Sequence, residues 1–216
     1  MSRNAVWQDD YWLLLMQLYL RKPVGPKVLY NRDMVTLSLE LHITPQALQS
    51  RMQQIARLDT PRIERYWRTY SDNPRRLARA VSLLRQMKGF GAATDFYDGV
   101  EVQETFEKDF RPLAEDSRFT PVMLVMILSL YFQLTPQTMV SETPEVQQLA
   151  RLLKLKPDDV TAVLTVFQRF DPYLNRRDNG TPQPLLEPCR LIWQRYGSME
   201  PEQLAAHAEE LKAYFI

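Results

Sequence analysis

The sequence predicts an all-α chain made of two diverged tandem helical repeats, and three observations carry that expectation. Leu, Met, Gln, Arg and Glu recur at three- and four-residue spacing, while Val, Ile and Thr nowhere alternate with polar residues over a strand length. Fifteen prolines stand against six glycines, and most prolines sit where a helix would begin or a loop would turn. Sliding the chain along itself by 112 residues lays Tyr11–Asp59 on Met123–Asp171 without a gap. Leu18-Tyr19 then meets Leu130-Tyr131, Leu37 meets Leu149, Leu41 meets Leu153, Pro45 meets Pro157, Arg57 meets Arg169 and Asp59 meets Asp171. The apolar positions follow as well, with Leu48 on Val160, Met52 on Leu164 and Ile55 on Phe167.

The first expected element runs from Asp9 to Arg21. It is apolar around most of its circumference, which places it at the centre of a core. A second helix, Asn31 to Leu41, carries Met34, Leu37 and Leu41 on one face. Thr44-Pro45 opens a third, because a threonine hydroxyl can accept an orphan amide and proline at the first helical position loses no hydrogen bond. This third helix extends to about Leu58 with a buried stripe of Leu48, Met52, Ile55 and Leu58. Each copy continues into further helices, Pro74 to Lys88 in the first and Leu185 to Tyr196 in the second. Gly89-Phe90-Gly91 and Asp178-Asn179-Gly180-Thr181-Pro182 supply turn chemistry beside them. The units are expected to divide between Glu115 and Thr120, giving a basic repeat 1–115 and an acidic repeat 116–216.

Only His42-Ile43-Thr44 separates the second and third helices. The segment Leu37-Ser-Leu-Glu-Leu-His-Ile-Thr-Pro-Gln-Ala-Leu-Gln-Ser-Arg-Met resembles the helix-turn-helix family of DNA-binding modules over about 25 residues in each copy. Ser38, with Ala150 in the other copy, stands at that family's small position, and Leu48, with Val160, at its apolar position early in the third helix. The tail Ile55-Ala-Arg-Leu-Asp-Thr-Pro also looks like the helix end of modules attached to some restriction-type nucleases, although the chain has no nuclease motif. The resemblance implies DNA binding through the third helix. The family's turn usually holds a left-handed glycine where this chain has His42 and Lys154, so the turn is expected to be built differently, as in a generic helical hairpin.

At 100° per residue, Gln46, Gln49, Ser50, Gln53 and Arg57 lie opposite the apolar stripe of the third helix. Glutamine can pair with adenine, arginine can fork onto guanine and serine suits phosphate, so these are the candidate DNA-reading residues. Residues 1–91 hold 15 Lys and Arg against 7 Asp and Glu, whereas residues 92–216 hold 12 against 19, within a net charge of only +1. A basic half attracts a phosphate backbone, and Arg62, Arg65 and Arg68 are candidate phosphate contacts, with Arg75, Arg76 and Arg79 beyond them. The same arginines are also candidates to pair with the acidic half. In the second copy the corresponding face reads Asp158, Thr161, Ala162, Thr165 and Arg169, which suits packing, self-association or a protein partner better than DNA.

Several chemistries are excluded on residue content. His42 and His207 have no cysteine companions at zinc spacing, and no phosphate loop, dinucleotide fingerprint or serine elbow occurs, so no metal, cofactor or catalytic residue is expected. The acidic run Asp95, Asp98, Glu101, Glu104, Glu107 and Asp109 is expected to be a solvated helix face. Cys189 is expected to be a small buried residue. Most aromatics, Trp12, Tyr19, Tyr66 and Trp67 among them, fall at helical spacing beside Leu and Met and are assigned to the core. With no membrane-length apolar run and no signal-like N-terminus, the chain is expected in the cytoplasm. The functional expectation is a DNA-binding regulator or DNA-associated accessory protein, with double-stranded DNA as the partner of the first repeat. The alternative is a helical protein–protein interaction scaffold that binds no nucleic acid.

Overall fold

The computed structural model describes residues 7–90, 106–174 and 184–216, and every regular element in them is an α-helix. The chain divides into two compact units, Met1–Thr105 and Phe106–Ile216. The division falls before the expected 115/116 boundary because Asp109 and Phe110 belong to the second unit. The Asp109 carboxylate meets Arg195 at 3.1 Å, and the Phe110 ring packs edge-on against Tyr214 at 5.1 Å. The acidic residues Asp95, Asp98, Glu101 and Glu104 therefore fall within the first unit's span, so the basic surplus belongs to residues 1–91. Of the run assigned to an acidic helix face, only Glu107 and Asp109 lie among the described residues, on the short helix Phe106–Asp109.

Unit 1 consists of α1 (Tyr11–Leu20), α2 (Arg32–Leu41), α3 (Pro45–Arg57), α4 (Pro61–Tyr70) and α5 (Pro74–Gln86). α1 is the hub against which the other four pack. The reason is its composition: Leu14, Leu15, Met16 and Leu18 are buried, and with Leu13, Tyr19 and Leu20 packed against the core too, no side is left polar enough to face water. The starts of the later helices are set locally. The Ala47 amide donates to the Thr44 hydroxyl at 3.4 Å, the Ile63 amide to Thr60 at 3.3 Å and the Arg76 amide to Asn73 at 3.0 Å, each ahead of an N1 proline. The helix Pro61–Tyr70 is an element of its own, and Thr60-Pro61 marks it in the same way that Thr44-Pro45 marks α3. Tyr66 and Trp67 lie on the core, Trp67 meeting Tyr19 edge-on at 5.9 Å.

Unit 2 contains α6 (Phe106–Asp109), α7 (Pro121–Tyr131), α8 (Pro144–Leu153), α9 (Pro157–Phe167), α10 (Leu186–Tyr196) and α11 (Pro201–Lys212). Here α7 is the hub, buried at Val122 and continuously from Leu124 to Tyr131, with α8, α9, α10 and α11 packed on it. Trp193 anchors α10 among the rings of Tyr131 and Phe132, each at 5.7 Å, and Phe167 at 6.3 Å. The Tyr131 hydroxyl donates to Asp171 at 2.6 Å. Cys189 is buried, and desolvation pushes its thiol up to about 12, so it is an inert packing residue at neutral pH. No helix among the described residues is long and apolar enough to cross a membrane.

The turn between α2 and α3 corrects one expectation. His42 is left-handed (φ 55°, ψ 33°), and Lys154 in the turn between α8 and α9 matches it (φ 59°, ψ 36°). The Ile43 amide reaches back to the Ser38 carbonyl at 3.1 Å, and the Leu155 amide to Ala150 at 2.9 Å. These bonds close each helix end and fix the reversal, so the glycine-type turn is kept without glycine. Ser38 and Ala150 are both buried at the helix they close, which accounts for their small size. A left-handed non-glycine residue is held at a cost of about 1 kcal/mol. Lys154→Gly, at an exposed position, is accordingly expected to raise the stability of unit 2 by up to about 1 kcal/mol in urea denaturation.

Candidate nucleic-acid interface

The site begins with the two faces of α3. Leu48, Met52 and Ile55 are buried, which turns Gln46, Ser50, Gln53 and Arg57 outward at spacings of four, three and four residues, and all four are exposed. Arg51 lies to the side of this stripe with its guanidinium over the Trp7 ring at 4.9 Å and over Trp12 at 5.7 Å. Arg51 thus serves packing rather than the outward face.

Two of the expected reading residues have other partners. The Gln46 amide donates to the Tyr30 hydroxyl at 3.0 Å, and the half-buried Gln49 donates to the Lys27 carbonyl at 3.4 Å. Both bonds fasten the loop between α1 and α2 along the first half of α3. Lys27 reinforces the attachment through its backbone amide, 3.5 Å from the Met52 sulfur. Its own side chain is buried, with the ammonium donating to the carbonyls of Arg21 at 2.7 Å, Tyr19 at 3.5 Å and Pro23. A cation there is favoured by the C-terminal end of the α1 dipole. Burial nevertheless pushes the Lys27 ammonium below its usual range, with Asp33 pulling it part of the way back. Nothing local in the sequence signals this arrangement, since Lys27 and Tyr30 meet α3 across sixteen to twenty-five residues.

The arginines sort into two groups. Arg62 pairs with Asp9, and Arg68 with Glu64 at 3.3 Å one turn away, both within unit 1 rather than with the acidic half of the chain. Arg85 forks onto Glu40 at 2.6 and 2.8 Å, strapping α5 to α2. Arg76 lies over the Tyr70 ring at 5.6 Å. Arg57, Arg65, Arg75 and Arg79 are exposed, and among the described residues none of them forms an ion pair. Of the eight candidate residues, Ser50, Gln53, Arg57 and Arg65 thus keep unengaged side chains among the described residues. Gln46, Gln49, Arg62 and Arg68 spend theirs inside the unit.

The corresponding end of α9 is a closed polar network. Asp158 accepts from the Ser141 hydroxyl, and Asp159 accepts from Arg118 at 2.6 Å and from the Lys156 amide at 3.1 Å. Arg118 also holds Asp116 at 2.7 Å, and that hydrogen bond keeps the Asp116 carboxyl below its usual range. Thr161 and Thr165 turn their hydroxyls back onto carbonyls of their own helix at 3.0 and 2.9 Å. Carboxylates at a helix N-terminus suit the dipole and repel phosphate. Among the described residues no group of three His, Cys, Asp or Glu is placed to hold a metal ion. Compared with protein-family models, with the curated proteins and with the solved structures, the chain matches none.

Proposed function

We propose that the chain is a duplicated five-helix unit whose first copy binds double-stranded DNA through α3, and that it acts as a DNA-binding regulator or accessory protein rather than a catalyst. The observation that carries this reading is the outward stripe of Ser50, Gln53 and Arg57, side chains able to reach base edges or phosphates, on a helix entered through a left-handed three-residue turn. Arg65, Arg75 and Arg79 take backbone phosphates. Duplication is supported by the shared order of helices around a hub and by left-handed His42 and Lys154 standing 112 residues apart.

The test is fluorescence anisotropy with a labelled random-sequence duplex. Neutralising about four phosphates predicts that affinity falls about a hundredfold between about 50 and 200 mM salt. No binding at micromolar protein overturns the proposal.

For unit 2 one observation favours the scaffold reading. A groove of about 560 Å³ runs between α7, α8 and α11, floored by Met126, Leu130, Leu149, Leu152, Ala205 and Ala208. Leu152 occupies the place that Glu40 holds in unit 1, so the strap that Arg85 makes there has no counterpart at this position. We assign unit 2 to a protein contact.

A further inference from the structure

We infer that the loop between α1 and α2 is the second half of the nucleic-acid surface, with Val28 as a specificity-determining contact to the thymine methyl group. The inference rests on the DNA reading of α3. It starts from how firmly the loop is seated. Lys27 and Tyr30, on either side of Val28, are each bonded to α3, through Gln49 and Gln46 respectively, and the Lys27 amide adds the contact to Met52. The Asn31 amide closes a tight turn onto the Val28 carbonyl at 3.0 Å, and Asn31 in turn caps α2 by accepting from the Asp33 amide at 3.0 Å. Val28 is thus fixed in position beside the Gln46–Gln49 edge of α3, yet its side chain is 61% exposed.

An exposed branched apolar residue on a loop tied down on both sides of it gains nothing for the fold of unit 1. Beside a polar helix that addresses the major groove, it faces the one apolar group that groove presents, the C5-methyl of thymine. Lys27 takes part as a positioning residue. Its ammonium is consumed by three carbonyls and does not reach a phosphate, but it holds the loop closed over the C-terminus of α1. Gln46 and Gln49, expected from the sequence to read bases, instead set the distance between this loop and the helix.

The test compares binding to an alternating dA-dT duplex and to its dA-dU counterpart, which differs only by the thymine methyls. Burying one methyl group predicts about fourfold tighter binding to the thymine duplex for the native chain. Val28→Ala is expected to bring that ratio close to one, and Val28→Ile to retain it. Val140 is likewise exposed and stands 112 residues further along in unit 2, and Val140→Ala is expected to leave the ratio unchanged. If the native chain binds both duplexes equally, or Val28→Ala keeps the native ratio, the loop assignment is overturned while the DNA reading of α3 stands. If the native chain binds neither duplex, both fall.

Discussion

Leu15→Ala is expected to destabilise unit 1 by about 3–4 kcal/mol, the loss typical of truncating a leucine that sits in a closed core and leaves a cavity behind. Leu15 is 0% exposed and stands midway along α1, the helix on which α2, α3, α4 and α5 all pack, so no neighbour can close over the gap without shifting another contact. Three of the four tryptophans, Trp7, Trp12 and Trp67, belong to unit 1, so a urea transition followed by tryptophan fluorescence reports this unit first. A shift of the midpoint corresponding to less than about 1 kcal/mol would mean that α1 is not the organising element. The same substitution at an exposed apolar residue such as Leu83 is expected to cost far less, because that side chain is already 56% exposed.

The double substitution Gln53→Glu with Arg57→Glu is expected to lower affinity for duplex DNA by about two orders of magnitude at low salt, with helical content unchanged by circular dichroism. Each position removes a contact of about 1–3 kcal/mol, and the new carboxylates face phosphates. Both side chains are exposed on α3 and leave its buried stripe untouched, so a loss of fold is not the expected route to a loss of binding. The matching change in unit 2, Thr161→Glu with Thr165→Glu, introduces two carboxylates into a helix already led by Asp158 and Asp159. It is expected to leave affinity within about twofold, since long-range repulsion from exposed charges is largely screened beyond a Debye length. Equal losses from the two double variants would show a response to net charge alone and would remove α3 from the interface.

Most helix starts were legible in the residues because they are decided within four positions. Thr44-Pro45, Asn73-Pro74 and Thr120-Pro121 each place a cap acceptor ahead of a proline, and each begins a helix. The hubs were legible for a different reason: a helix apolar on all sides must be surrounded, as α1 and α7 are. The turn was misjudged because left-handed geometry was tied to glycine. In the structure the hydrogen bonds from Ile43 to Ser38 and from Leu155 to Ala150 hold His42 and Lys154 in that region against its local cost.

The candidate site was only half legible. Helical periodicity gives the direction in which a side chain leaves α3, and it placed Ser50, Gln53 and Arg57 outward. It carries no information about what arrives at that face from elsewhere in the chain. Tyr30 and the Lys27 carbonyl arrive there and take Gln46 and Gln49, while Asp9 takes Arg62 from across the unit.

By itself, then, the sequence determined the helical class, the apolar hubs, the capped helix starts and the polar stripe of α3, all of which follow from spacing along one segment. Only the tertiary structure decided which members of that stripe remain open, that Lys27 is buried against carbonyls rather than free for phosphate, and that residues 106–110 belong to the second unit. These outcomes depend on hydrogen bonds and packing between segments distant in sequence, where the desolvation of a polar group is balanced by a partner that local periodicity does not reveal.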